Sequence, residues 1–374
     1  MSKYRINLKI IKLKLMFYYA IVLYRLRSDE MSKIIYPEKI TENSKIGTVA
    51  MSCGAVDEVG HLKVSSAKEN FAMRGFNVIE TESIYKCEKF VSNSGEKRAE
   101  EFMSLWSRDD ISYIPVLRGG EFLMESIPYL DKFDLSKYEA KWVQGYSDVS
   151  LLNFYLTTKY NIATIHSNSF TGFAMKPWDN TVKLAFDVIQ TKETFIQENF
   201  EKFQAHSDRS LEGACAQYNC TEKVVYKNLF GAQEDEVKLS GRLIGGCMDV
   251  IKLLIGTPFD NTKKFCEQFE EGMLWYLENC ELTVLEMKRT LWQMKQAGWF
   301  ENAKGFIIGR TNSKDTIWDF TYEDALTDTL KEFNVPVIYD VDIGHTDPQW
   351  TMINGAFAEF EYKNGKGKIT QYFN

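Results

Sequence analysis

The chain has 374 residues and a mass of 43.3 kDa, room for about two domains at the usual ~100–200 residues each. Hydrophobic residues make up 44% and charged residues 26%, an ordinary globular composition that excludes disorder, collagen-like repeats and coiled coil. The net charge of -7 and the pI of ≈ 5.4 argue against a nucleic-acid binder that relies on a broad basic surface.

The first thirty residues differ from the rest. They hold seven Lys/Arg against Asp29 and Glu30, a local charge of +5. Their longest uncharged run, Leu15 to Tyr24, is about half of the ~20 residues that span a bilayer. Arg25 and Arg27 stand where a signal peptide would carry small residues before its cleavage site. A non-native extension from an upstream start is favoured over a poor signal peptide or a membrane-surface segment, so membrane contact is possible but not favoured. Residues 1–44 are read as this extension and its lead-in.

From Lys45 the chain alternates strand and helix. Residues 45–52, 76–80, 111–117, 140–145 and 161–167 read as five strands, with helical segments at 67–74, 95–108, 121–130 and 148–159. This alternation implies βαβ units and a parallel sheet, whose functional groups gather at the carboxyl ends of the strands. No GxGxxG follows the first strand and no GxxxxGK[ST] occurs, which disfavours a dinucleotide or P-loop site. The first domain is placed at 45–180. Residues 180–205 read as helical and 206–240 as polar, so 181–240 is expected to be a helical linker or excursion. A second domain at 241–374 contains apolar strands at 273–277, 305–309 and 336–340, a helix through 282–297, and a terminal hairpin turning at Asn364-Gly365.

The seven cysteines (Cys53, Cys87, Cys215, Cys220, Cys247, Cys266, Cys280) are odd in number and form no CxxC pair. They read as reduced thiols in a cytoplasmic protein rather than as a disulfide framework or a zinc site.

Gly145-Tyr146-Ser147-Asp148 lies where a buried strand turns directly into a helix. A serine there fits a nucleophile elbow, with the Asp148 amide at the helix start facing a developing oxyanion. The alternative is that Ser147 or Asp148 only caps the helix. His345, in a Gly- and Asp-rich loop after an apolar strand, is the candidate base, with strand-end His166 as rival. Glu278 ends the apolar run Met273–Leu277; it either orients the base or opens the next helix. Arg118-Gly119-Gly120 follows the third strand, where an amide of Gly119 or Gly120 adds an oxyanion donor or the glycines form a plain turn.

Ordered along the chain, RAEEFM (98–103), RGG (118–120), GYSD (145–148), GRLIGGCMDVI (241–251), GTP (256–258), YLE (276–278), AGWF (297–300) and GHTDP (344–348) together resemble the LD-carboxypeptidase family of serine peptidases, which includes the microcin C immunity peptidases. The resemblance spans roughly residues 45–360. It implies an α/β architecture: a flavodoxin-like, class I amidotransferase-like parallel-sheet N-domain and a smaller mixed β/α swivelling C-domain. By motif it makes Ser147 the nucleophile, His345 the general base and Glu278 the carboxylate that holds His345. The Glu278 carboxylate is then expected within ~2.6–3.2 Å of one His345 ring nitrogen, with the Ser147 hydroxyl near the other. Cys247 departs from the family, many members having Asn after the paired glycines.

The implied activity is release of the terminal D-alanine from murein tetrapeptides, with hydrolysis of peptidyl- or aminoacyl-nucleotide amides as the alternative. Trp178, Tyr218 and Tyr226 are the aromatics that could face an adenine. A catalytically inactive two-domain peptide-binding protein is the reading of another class. A cytoplasmic homodimer acting on a murein peptide or peptidyl-nucleotide, without cofactor, metal or nucleic acid, is expected.

Overall fold

The computed structural model describes residues 33–42, 44–191, 193–208 and 210–373. The basic tail and its membrane-surface reading lie outside the described residues. The lead-in that follows packs on the body. Ile34 and Ile40 are buried, and the Tyr36 hydroxyl donates to the Tyr372 carbonyl at 3.2 Å. Deleting residues 1–30 is therefore expected to leave Tm and turnover unchanged. Deletion through Ile40 removes two buried isoleucines, each worth about 1.5–3 kcal/mol, and lowers the Tm. Thermal melts of the two truncations check this; a fall for the shorter one would show that the tail packs on the body.

The first sheet holds β1 (Lys45–Thr48), β2 (Val78–Glu80), β3 (Ile111–Pro115), β4 (Trp142–Gln144) and β5 (Thr164–His166). Its order is β2-β1-β3-β4-β5, all parallel, which is the flavodoxin-like arrangement. The helical reading of 67–74 falls short, because the helix runs Glu58–Ala72, started by Asp57 whose side chain accepts from the Gly60 amide. Its inner face carries Ser66 and Asn70, hydrogen-bonded to the carbonyls of Phe173, Ala174 and Met175, so apolar periodicity could not reveal it.

The segment after residue 180 is largely corrected. A helix spans only Asn180–Asp187, extended by a 3₁₀ turn to Gln190. Strands follow: β6 (Thr194–Glu198), β7 (Lys202–Phe203), β8 (Glu222–Lys223) and β9 (Lys227–Asn228). The inward face of β6 offers Phe195 and Gln197, and Gln197 is satisfied by both backbone groups of Thr351, so a polar residue breaks the alternation that marks a strand.

The remaining strands are β10 (Glu236–Cys247), β11 (Met273–Glu278), β12 (Ala303–Gly309), β13 (Val337–Val341), β14 (Met352–Asn354), β15 (Phe357–Lys363) and β16 (Lys366–Tyr372). The second sheet is mixed, in the order β6-β16-β15-β10-β11-β12-β13-β9, with β10 to β13 parallel. Its hairpin turns at Asn364-Gly365, both with positive φ, as expected. Strand β14 leaves this half of the chain and pairs antiparallel with β5, at the edge of the first sheet.

The helix Val149–Tyr160 lies between the two halves and is buried almost all round, as a helix apolar on every face must be. Phe154 packs at 5.1 Å from Trp299, which stacks on Trp275 of β11. The serine elbow at the start of this helix and the carboxyl end of β11 therefore rest on one shared core. Among the described residues no helix is long and apolar enough to cross a membrane.

Candidate active site

Ser147 has φ 61°, a left-handed conformation that costs a non-glycine residue about 1–3 kcal/mol. That strain turns β4 into the helix Val149–Tyr160 without a connecting loop. Asn153 clamps the turn, donating to the carbonyls of Gly145 and Ile165 at 2.9 and 3.0 Å. Gly145 is needed because a Cβ there would lie 2.6 Å from Val149 Cγ1.

Capping does not explain this turn. The Asp148 side chain makes no cap hydrogen bond; it accepts from Ser52 Oγ at 2.5 Å and from the Leu123 amide at 2.9 Å. Burial raises its carboxyl pKa, an effect opposed by those two donors and by Arg98. Asp148 thus ties the elbow to the carboxyl end of β1 and to the segment after Arg118-Gly119-Gly120.

That glycine pair sits against the serine. A Cβ on Gly119 would lie 2.8 Å from Ser147 Oγ and 3.6 Å from the Asp148 nitrogen. A Cβ on Gly120 would lie 2.3 Å from Ser52 Oγ. Gly119 thus lies against Ser147 beside the Asp148 nitrogen, and a side chain there would crowd the serine hydroxyl. Gly119→Ala is expected to fold normally but to lower kcat/KM at least ~10-fold, since a methyl would occupy the approach to Ser147. Wild-type kinetics for this variant would remove the loop from the site.

Glu278 ends β11, in register with Cys247 at the end of β10. It is fully buried, and its Oε2 lies 2.8 Å from His345 Nδ1. Two glycines make room for it. A Cβ on Gly344 would meet Glu278 Oε2 at 2.5 Å, and one on Gly309 would meet Glu278 Cβ at 2.9 Å. Burial works to raise the Glu278 pKa, but His345, His166 and Cys247 outweigh it and hold it below the ordinary value. Burial likewise opposes protonation of His345, yet the Glu278 carboxylate and Cys280 outweigh it and raise the pKa well above the ordinary imidazole value.

The second expected contact is not formed: His345 Nε2 is buried and makes no hydrogen bond to any described residue. Catalytic hydrogen bonds of this kind often tighten only in the substrate complex. The serine's neighbour is nonetheless in place, with the Tyr146 ring 5.0 Å from the His345 ring. The rival His166 is buried at the end of β5 with Nδ1 3.2 Å from Ser150 Oγ, and burial pushes its pKa down to about 4. It is a neutral core histidine.

Sequence reasoning missed Ser52 and a buried support for the histidine loop. Arg310 pairs with Asp342 at 2.6 Å and donates to Thr346 Oγ1 at 3.1 Å. Asp342 also accepts from the Tyr226 hydroxyl at 2.6 Å and the Phe200 amide at 2.9 Å. Phe200 and Tyr226 therefore brace the loop that presents His345.

A two-lobed cleft opens beside Tyr146 and Asp347. One lobe, ≈ 320 Å³, is lined by Lys63, Asn168, Thr171, Tyr218 and Asn219 among others; the other, ≈ 460 Å³, by Cys280, Glu281, Asn312 and His345. Both fall in the ordinary range for small-ligand sites. A larger concavity of ≈ 960 Å³ lies at Lys159–Asn161, the far end of the serine helix and about 18 Å from the elbow at 1.5 Å per residue. Burial raises the Asp347 pKa to about 6, although His345 and Lys63 oppose the shift.

Comparison with known proteins places this geometry. Residues 46–167 match the LD-carboxypeptidase N-terminal domain and residues 240–360 the LD-carboxypeptidase C-terminal domain. "Putative carboxypeptidase YocD" of Bacillus subtilis is 24% identical over 90% of this chain and 98% of its own length. The microcin C7 self-immunity protein MccF of Escherichia coli is 23% identical over 80% of this chain and 86% of its own length. An MccF-like protein from Bacillus anthracis shares the fold with a TM-score of 0.76 at 22% identity, over 91% of this chain and all of its own. With both domain matches in order on the two sheets that carry the elbow and the His345–Glu278 pair, the chain belongs to the LD-carboxypeptidase family of peptidases.

Proposed function

We propose that this protein is a serine LD-carboxypeptidase that hydrolyses the L,D-peptide bond of murein tetrapeptides and releases their terminal D-alanine. The observation that carries the reading is the buried Glu278–His345 pair, 2.8 Å apart, with His345 against the residue preceding a left-handed serine. Ser147 Oγ attacks the scissile carbonyl carbon while His345 Nε2 takes its proton and Glu278 steadies the imidazolium. The Asp148 amide and an amide of Gly119 or Gly120 receive the oxyanion. Collapse forms the acyl-enzyme and breaks the C–N bond, with His345 returning the proton to the leaving amine. Water, deprotonated by His345, then releases the acyl group. Two of the three residues come from the second half of the chain, so the shared core must hold both halves rigidly.

Hydrolysis of a peptidyl- or aminoacyl-nucleotide amide is the second reading, favoured by the likeness to MccF, whose structure has been solved in complex with glutamyl sulfamoyl guanosine. Two of the three aromatics that could face an adenine are used elsewhere. Trp178 lies under Arg74 in a cluster with Phe71, Phe173 and Phe186, and Tyr226 is buried on Asp342. Tyr218 alone of the three lines the cleft.

Incubation with a murein tetrapeptide and, separately, a peptidyl-adenylate analogue decides between the two. D-alanine release supports the first reading; nucleotide release alone overturns it. A serine-directed phosphonate tests the inactive-binder reading, since stoichiometric labelling of Ser147 requires a working triad. Homodimerisation and a cytoplasmic location belong to the same proposal, checked by sizing of the purified chain and by cell fractionation.

A further inference from the structure

Three side chains from three separate segments meet at the base of the proposed triad. Cys247 ends β10, Glu278 ends β11, and His345 hangs from the loop after β13. One ligand atom of each lies within 4.8 Å of the other two. Cys247 is 1% exposed, has no part in the hydrolytic steps above, and contacts both Glu278 and Asp249. A second thiol stands beside them: Cys280, two residues beyond Glu278, contacts His345 and lines the cleft. Asp249 holds both cysteines near the site, its Oδ2 accepting from Cys247 Sγ at 3.4 Å and from the Cys280 amide at 3.1 Å. Glu278 Oε1, wholly buried, makes no hydrogen bond to any described residue, and neither does His345 Nε2.

Two thiols, one imidazole and one carboxylate form the donor set of a tetrahedral thiophilic cation and are a poor one for Mg²⁺ or Ca²⁺. Bonds of about 2.0–2.3 Å place neighbouring ligand atoms roughly 3.3–3.8 Å apart, so shifts of about 1 Å close the trio of Cys247, Glu278 and His345, and Cys280 completes the set by swinging in from beside His345. We propose that Cys247, Glu278 and His345, with Cys280 in the fourth position, bind a divalent cation of the Zn²⁺ class, and that the bound ion holds the hydrolase off.

Binding is ligand exchange without redox. Each thiol that ligates gives up its proton to solvent. His345 Nδ1 turns from Glu278 to the ion and loses its proton, to Nε2 from the neutral imidazole or to solvent from the imidazolium, whose Nε2 is already protonated. Nε2 then carries a proton and cannot take one from Ser147. Removal of the ion by a chelator reverses every step. The cation site stands on the four side chains alone, whereas the inhibition rests on the proposed hydrolase reading.

The test uses the full chain, stripped with EDTA and desalted, then titrated with Co²⁺ as optical probe and Zn²⁺ as competitor. One equivalent of Co²⁺ is expected to give the intense visible bands of a tetrahedral site and a sulfur-to-cobalt charge-transfer band, both abolished by Zn²⁺. Cys247→Ala and Cys280→Ala are each expected to weaken that band and to lower Zn²⁺ affinity at least ~10-fold. Zn²⁺ is expected to suppress D-alanine release and phosphonate labelling of Ser147 at least ~10-fold, with EDTA restoring both. Weak octahedral Co²⁺ bands without sulfur charge transfer in the unmutated chain overturn the site, whether or not the variants fold. Full turnover or labelling at saturating Zn²⁺ overturns the inhibition. If the stripped chain neither turns over nor labels, the hydrolase reading and the inhibition fail together, and the cobalt spectrum still decides the site.

Discussion

Ser147→Ala is expected to lower kcat by about 10⁴–10⁶-fold while leaving the Tm and the circular dichroism unchanged. The magnitude follows from members of a triad acting as a unit: without the hydroxyl no acyl-enzyme forms, and only binding and the oxyanion donors remain. The fold should survive because alanine fits wherever serine does and meets the same left-handed backbone cost. The clamp from Asn153 to Gly145 and Ile165 and the tether from Asp148 to Ser52 do not involve the Ser147 side chain. His345→Ala should cost about as much. His166→Ala should cost far less in turnover, since His166 is bonded to Ser150. Steady-state kinetics on the three variants, with melts as control, make the comparison. Near-normal turnover of Ser147→Ala would sink the serine mechanism, and a larger loss for His166→Ala than for His345→Ala would move the base.

What the sequence discloses here, and what it hides, follows from which residues do the burying. Strands β1, β3, β4 and β5 and the helix Val149–Tyr160 are readable because they bury nearly every residue, giving apolar runs punctuated by Gly145 and by Asn161, the left-handed C-cap. The elbow is readable because only Gly145 to Asp148 separate a buried strand from a buried helix, which leaves room for a tight turn and no loop. Glu278 is readable only as an anomaly, a carboxylate closing a six-residue buried strand. Its partner is not, because 67 positions separate Glu278 from His345, and the register that joins them is set by β11 to β13 pairing.

Strand β6 escapes notice, and the helix Glu58–Ala72 is read only from residue 67 on, for one shared reason. Their buried faces carry Gln197, Ser66 and Asn70, each satisfied by backbone groups far away in sequence. Ser52 and Arg310 escape for another: each acts only by holding a loop through a side chain from elsewhere, Asp148 in one case and Asp342 in the other. Strand β14 is only three residues long, and nothing local says that it will cross to the edge of the first sheet. That crossing is what brings the GHTDP loop to the serine.

Glu278→Gln isolates the charge of the third residue from its shape. Glutamine keeps the volume and an acceptor for His345 Nδ1–H, so the imidazole can still be held, but nothing now compensates the positive charge that forms as Ser147 attacks. A fall in kcat of roughly 10²–10⁴-fold with little change in KM is expected, smaller than for Ser147→Ala because the base remains. The pH profile gives a sharper reading. In the wild type, burial opposes protonation of His345, but the Glu278 carboxylate outweighs burial and raises its pKa well above the ordinary value. The base acts only when neutral, so the acid limb of kcat/KM should lie above the ordinary imidazole range and activity should climb into alkaline solution. In Glu278→Gln the burial persists and the carboxylate is gone; the imidazolium loses its partner, its pKa falls, and the acid limb moves to lower pH even as the maximum rate drops. A variant that merely loosened the loop would lose rate with the limb unmoved. Glu286→Gln should keep both rate and profile, because Glu286 serves the capping box with Thr283 and glutamine fills the same role. An unshifted acid limb with near-normal kcat in Glu278→Gln would take the orienting role from the carboxylate that lies 2.8 Å from His345 Nδ1 and give it to another residue.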